Sequence, residues 1–185
     1  MAQIVVLNGS PHEHGSTAAL VGEILKGIDQ QGIKVNSYYL NGMNIHGCQG
    51  CNACRSKGRC VQQDDMQPIY DDIAEADGII MATPVYMWQV TAQLKQAIDR
   101  LFPFLKFDYS SYLKPGKKVL LAATQGRDDT ALFRPYFEHV GKNLVFLGFG
   151  AYKIFIAGET HQPEDLYRQP QVMAEVGRLG EWLTK

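Results

Sequence analysis

The sequence has no apolar run approaching the roughly 20 residues that a membrane-spanning helix needs. Its opening residues also lack the basic and apolar regions of a secretion signal. Basic residues are not in excess: 18 Lys and Arg stand against 19 Asp and Glu, for a formal net charge of −1. That balance excludes the basic face and high pI of a nucleic-acid binder. Cysteine is scarce and confined, with all four residues between Cys48 and Cys60, too close together to staple distant parts of a fold. These absences predict a cytosolic chain with no membrane or nucleic-acid partner. In a reducing compartment its cysteines are metal-binding or redox-active rather than a disulfide framework. Two phosphate motifs are missing as well. There is no G-x-x-x-x-G-K-[ST] and no G-x-G-x-x-G, so neither a P-loop nor the usual dinucleotide fingerprint is present.

What is present is ordinary in bulk: 185 residues, 45% hydrophobic and 20% charged. This suits one domain over 1–185 with a cysteine-rich loop at 43–63. Ile4-Val5-Val6-Leu7 is a short apolar run that predicts a first strand. A first helix is predicted from Ser16 or Thr17 to Gly32, with Leu20, Val21, Ile24, Leu25 and Ile28 on one face. Val35–Leu40 is a second strand. A helix capped by Asp64 or Asp65 carries Met66, Ile69, Tyr70 and Ile73. Residues 78–84 form a third strand, 89–101 a helix, 118–124 a fourth strand and 152–157 a fifth. Helices around Phe133–Leu147 and Val172–Leu183 follow the last two. Residues 102–115 are aromatic but aperiodic. Strands alternating with helices imply a doubly wound parallel sheet, flavodoxin-like, in the order 2-1-3-4-5. Its ligand is expected beyond the strands' carboxyl ends, near loops 9–17, 84–88 and 124–128.

The loop Asn8–Thr17 is the first candidate site. A strand leading through small and hydroxyl residues into a helix presents loose backbone N–H groups and a positive dipole end to an anion. The loop holds no Lys or Arg, so hydroxyls and amides alone would hold the anion, which suits an FMN phosphate better than a triphosphate. Ser10, Pro11, His12, Ser16 and Thr17 are its candidates. The plainer alternative is that Ser16 and Thr17 cap the helix while Gly9 and Pro11 turn the chain. Pro84, Val85, Tyr86, Met87 and Trp88 offer apolar walls and backbone groups for a flat ring, or a hydrophobic loop buried in a dimer. Thr124, Gln125, Gly126 and Arg127 form the third loop, where Arg127 doubles as an ordinary surface charge.

Cys48, Cys51, Cys54 and Cys60 are spaced C-x2-C-x2-C-x5-C. Four thiolates within 13 residues can converge on one centre, and soft sulfur selects zinc or an iron–sulfur cluster. The first spacings follow the bacterial ferredoxin run, but the last is x5 rather than x3, with Val61 where that run has Pro. Arg55, Lys57 and Arg59 would offset the charge of a thiolate-bound centre and, without a metal, lower thiol pKa values. Four reduced cysteines in a mobile loop remain the bland alternative.

Taken together, Asn8-Gly9-Ser10-Pro11 with Gly15-Ser16-Thr17, the cysteine run, Asp64-Asp65-Met66, Ala76-Asp77-Gly78, Thr83-Pro84-Val85-Tyr86 and Leu94-Lys95 through Asp99-Arg100 resemble the NADPH-dependent FMN reductase family. Within it they resemble the iron–sulfur flavoprotein branch. The resemblance covers residues 3 to about 127. It implies an FMN-binding flavodoxin-like fold, a homodimer or homotetramer and two-electron flavin chemistry. The phosphate is then expected against Ser10, Ser16 and Thr17, and the ring against 84–88 and 124–127. The branch implies a [4Fe–4S] cluster on the four cysteines, near a neighbouring flavin. Many members carry Arg after Ser-Pro, where this chain has His12.

The function expected is an FMN-dependent oxidoreductase. NAD(P)H, or an iron–sulfur donor of ferredoxin type, would supply electrons that pass to a quinone, a flavin or another small acceptor. No side chain stands out as a general acid, although His12, His14 and Tyr86 are available. Two alternatives stay open: a flavodoxin-like carrier without enzymatic activity, and a flavin reductase whose cysteine loop is a structural zinc site or free of metal.

Overall fold

The computed structural model describes residues 2–28 and 32–185. Its strands are β1 (Ala2–Asn8), β2 (Ile33–Tyr39), β3 (Gly78–Pro84), β4 (Lys118–Thr124) and β5 (Ala151–Ala157). They form one parallel five-stranded sheet in the order β2-β1-β3-β4-β5. The helices are α1 (Ser16–Lys26), α2 (Met66–Glu75), α3 (Ala92–Asp99), α4 (Arg134–Leu147), α5 (Pro163–Tyr167) and α6 (Pro170–Thr184). No described helix is long and apolar enough to cross a membrane.

The central strands are unbroken apolar runs because both of their faces are covered. Val5, Leu7, Ile79, Met81, Val119 and Leu121 share a core with Ile69 and Ile73 of α2, Leu94 of α3, and Phe137 and Leu144 of α4. The alternate residues Ile4, Val6, Ile80, Ala82, Leu120 and Ala122 share the other core with Leu20 and Ile24 of α1 and Val176 and Leu183 of α6. The period-2 geometry of a strand divides one hydrophobic run between two layers.

The order of the strands matches the expectation from sequence, while the end of α1 and the start of α3 differ and one short helix, α5, is added. α1 stops at Lys26, where the Gly27 N–H donates to the Ile24 carbonyl and the Ile28 N–H to that of Leu25. Ile28 is still buried, so the apolar periodicity outlasts the helix. The stretch 29–31, over which the pattern carries that helix toward Gly32, lies outside the described residues. α3 begins at Ala92 rather than Gln89, because Thr91 takes the N-cap and its hydroxyl oxygen accepts from Leu94 N at 3.3 Å. Gln89 is instead paired with Tyr86 across a tight turn. The short helix α5 has no apolar period of its own. It is set by a Gln162–Asp165 capping box and Pro163, local chemistry that periodicity does not register.

Candidate functional site

Parallel register places the carboxyl ends of β1, β3, β4 and β5 along one edge, with Asn8 beside Ala82, Pro84 beside Thr124, and Thr124 beside Ala157. The loops that leave these ends enclose a hollow of about 360 Å³, within the range of small-molecule sites. Of the residues expected there, Ser10, His12, Ser16, Thr17, Pro84, Val85, Tyr86, Thr124, Gln125 and Gly126 line it, with Gly15. Pro11, Met87, Trp88 and Arg127 do not. Pro11 instead accepts a hydrogen bond on its carbonyl from Tyr39 Oη at 2.8 Å, and Arg127 is exposed. Met87 and Trp88 stand in solvent, 76% and 66% exposed, at the tip of the Tyr86–Gln89 turn. Both have positive φ, 44° and 71°, as the tight two-residue turn joining Tyr86 to Gln89 requires.

Thr160, His161 and Pro163 also line the hollow, from a fourth loop that the sequence reading omits. The signal was available, since Gly158-Glu159-Thr160 follows the carboxyl end of β5 just as the other loops follow theirs. This loop is knitted to the third: Thr160 N donates to Gln125 O at 3.0 Å and Glu159 N to Arg127 O at 3.1 Å.

The hydroxyls of the first loop are engaged within it and with the neighbouring loops. Ser10, buried, accepts from His12 N at 3.0 Å and donates to His12 O at 3.2 Å. Thr17 Oγ1 and Thr124 Oγ1 are 2.8 Å apart and buried, tying the first loop to the third. Ser16 Oγ reaches Thr160 O at 3.4 Å. The donors left for an anion are then chiefly backbone. The N-cap of α1 is Gly15, no side chain caps it, and its first turn holds no acidic residue. The N–H groups of that turn have no intrahelical partner and meet no competing carboxylate. FMN fits on two further counts. Gln125, buried, has a side-chain oxygen Oε1 with no hydrogen-bond partner. At Gly126, a Cβ would lie 2.7 Å from the His161 ring, so a side chain there would have to push that ring aside.

The cysteine loop is a separate construction. Its two ends are drawn together: Asp65 N donates to Asn44 O at 3.2 Å, Asn44 N to Asp65 Oδ2 at 2.7 Å and His46 N to Asp64 Oδ2 at 3.0 Å. Beneath the loop lies an ion pair between side chains only 1% and 0% exposed, Arg100 Nη1 to Asp64 Oδ2 at 2.6 Å, with Nη2 to Oδ1 at 3.0 Å. Arg100 also donates to His46 O and to Tyr70 Oη. Burial pushes the Asp64 carboxyl up, but the Arg100 hydrogen bond and those from His46 and Met66 prevail and hold it below its ordinary value.

All four cysteines line one small cavity of about 20 Å³, together with Arg100 and Phe102. Cys48 and Cys51 are exposed, Cys60 is half-buried and Cys54 is buried. Burial, then the neighbouring thiols, push Cys54 above its ordinary pKa, so the loop's bases do not lower it as expected. Two of those bases are committed elsewhere. Arg59 bonds Asp71 and Gln67 of α2, and Arg55 lies among aromatic rings. The four-thiol donor set has the chemistry of an iron–sulfur or zinc centre. Among the described residues, no three His, Cys, Asp or Glu side chains are gathered about a single-ion point, so a metal centre requires the exposed part of the loop to adjust.

The family model for NADPH-dependent FMN reductase matches residues 2–134. An iron–sulfur flavoprotein of Archaeoglobus fulgidus is 38% identical over 180 residues, 94% of this chain and 78% of that protein. One from Methanocaldococcus jannaschii is 36% identical over 131 residues, 70% of this chain and 67% of that protein. Among solved structures, an NAD(P)H:quinone oxidoreductase from Methanothermobacter marburgensis superposes with a TM-score of 0.75 at 14% identity, covering 100% of this chain and 98% of that one. An FMN-dependent NADH-azoreductase from Bacillus anthracis, solved in complex with FMN, gives 0.70 at 14% identity with full coverage of both chains. At such identity the likeness is one of fold.

Proposed function

The chain belongs to the NADPH-dependent FMN reductase family, and within it to the iron–sulfur flavoprotein branch; from that premise we propose that it binds FMN in the hollow at the strands' carboxyl ends and carries electrons from NAD(P)H to a small acceptor. The observation that carries this reading is the hollow itself: an uncapped helix start free of Lys and Arg shares it with Gly126, where a side chain would have to displace the His161 ring. The first-turn amides of α1, with Ser16 and His12 at the rim, would hold the phosphate. Pro84, Val85 and Tyr86, with Gln125 and Gly126, would flank the ring, and the unpartnered Gln125 oxygen is a ready acceptor for a polar ring edge. Bound FMN supplies hydride acceptance and the release of electrons singly or in pairs; the protein contributes position and polarity around it. Tyr86, 45% exposed at the mouth, leaves the approach open to a planar donor or acceptor such as nicotinamide, a quinone or a free flavin.

The second half of the proposal is that Cys48, Cys51, Cys54 and Cys60 ligate a [4Fe–4S] cluster. The four-thiol donor set and the 38% identical iron–sulfur flavoprotein support this reading. We further propose a homodimer or homotetramer working in the cytoplasm. An apolar groove of about 470 Å³ between α3 and α4, with Phe146 exposed beside it, supports the assembly. Steady-state oxidation of NADH and NADPH with a quinone acceptor tests the activity. Turnover with FMN bound is expected, and a bare electron carrier would show almost none. Iron and acid-labile sulfide after anaerobic purification test the cluster: about four of each per chain are expected, whereas zinc without sulfide contradicts it.

A further inference from the structure

We propose that Arg55 is the positioning residue of the cysteine loop, and that the aromatic excursion at 102–112 serves to cage it. It lies within the aromatic, aperiodic stretch 102–115, to which the sequence assigns no purpose. In the structure its rings surround one guanidinium: Arg55 Cζ lies 4.7 Å from the Phe107 ring centre, 5.3 Å from Tyr109 and 5.4 Å from Phe102. Arg55 Nη2 donates to the Lys106 carbonyl at 2.6 Å, and Tyr112 Oη donates to the Arg55 carbonyl at 3.3 Å. Arg55 Nε is buried with no hydrogen-bond partner, so ring faces offset that part of its charge.

This cage is coupled to the cysteines through covalent and packing neighbours. Cys54 precedes Arg55 and is the buried thiol of the four. Its carbonyl accepts from Gly58 N at 2.8 Å and Lys57 N at 3.1 Å, closing a turn around Arg55. Phe102 is the shared wall, lying against the guanidinium on one side and lining the cysteine cavity on another. Arg55 itself does not line that cavity. It therefore places Cys54 by gripping the excursion, and does not act as a counter-charge to whatever the thiolates hold. The inference deepens the cluster reading in its metal arm and stands apart from it in its conformational arm.

The test uses full-length protein loaded with FMN, as wild type, R55K, R55Q, F107A and R55Q/F107A. Phe107 is 60% exposed, so its truncation spares the core. Tryptic cleavage after Lys57 and Arg59, sites kept in every variant, is followed in chelator-treated protein, and iron and sulfide are measured in parallel after anaerobic purification. Contacts of this kind predict cleavage about tenfold faster in R55Q and about threefold faster in F107A. The double variant should be no faster than R55Q, because the ring then has nothing to hold. R55K should lie between wild type and R55Q, its ammonium keeping the charge but not the planar fork. Iron content should fall in the same order, with FMN binding unchanged throughout. Wild-type cleavage in R55Q, or effects of R55Q and F107A that simply add, would overturn the proposal. Absence of iron from the wild type would overturn the cluster reading alone, and the tryptic result still decides the role of Arg55.

Discussion

The hollow and the cysteine loop are both irregular segments, but they are held in different ways. The hollow is assembled from four loops whose anchors are strand ends, so sheet register fixes their spacing, and its ties are mostly backbone hydrogen bonds and one pair of hydroxyls. The cysteine loop rises from no strand. Its ends meet over a buried ion pair, its body is gripped at Arg55, and Arg59 adds only an exposed pair to Asp71. A site built on register spreads its dependence over many residues, whereas one built on guanidinium groups concentrates it in a few. Substitutions can break or sharpen that contrast.

The largest effect is expected at Asp64. Asp64→Asn leaves the buried Arg100 charge without its partner and should cost about 3–5 kcal/mol of stability, read from urea unfolding. The folded pKa of Asp64 is depressed, so its contribution is complete above the ordinary carboxyl value of 3.8 and is lost as pH falls through the lower folded value. The gap between wild type and D64N should therefore be full at neutral pH and narrow under acid conditions. A gap that widens in acid would reverse the assignment.

Next comes Thr17→Val, which leaves the Thr124 hydroxyl buried without a partner and should destabilise by about 1–3 kcal/mol. It should weaken FMN as well, since it unties the first loop from the third. Gly126→Ala should act on the ligand more than on the fold. The exposed His161 side chain can give way, and the loss is expected as about 1–2 kcal/mol of FMN affinity in a fluorescence titration, with unfolding little changed. Arg59→Gln should have the smallest effect. Its pair with Asp71 is about half-exposed on both sides, and exposed pairs contribute about 0.2–1 kcal/mol. A loss at Arg59 rivalling that at Asp64 would mean that the exposed pair holds the loop as strongly as the buried one.

The hollow was largely legible in the sequence because its determinants are local and repeated: an apolar run, then small residues, then a helix start. That rule located the loops at 9–17, 84–88 and 124–127, and applied once more to β5 it would have reached Thr160 and His161. It could not tell which way Met87 and Trp88 point, because a two-residue turn between Tyr86 and Gln89 turns both outward. The cysteine loop was legible only as a donor set. Its supports are contacts across long sequence separation, Arg55 with Phe107 and Asp64 with Arg100, and no periodicity records these. The bases at 55 and 59 read from sequence as counter-charges to thiolates, whereas the fold uses them as anchors.

Titration of the apoprotein with FMN, followed by flavin fluorescence, tests the central claim most directly when wild type is set beside a variant with all four cysteines replaced by Ser. The account predicts saturation at one FMN per chain with the same affinity in both, since the hollow shares no residue with the cysteine cavity. No binding by the wild type, or binding that disappears with the cysteines, would contradict it.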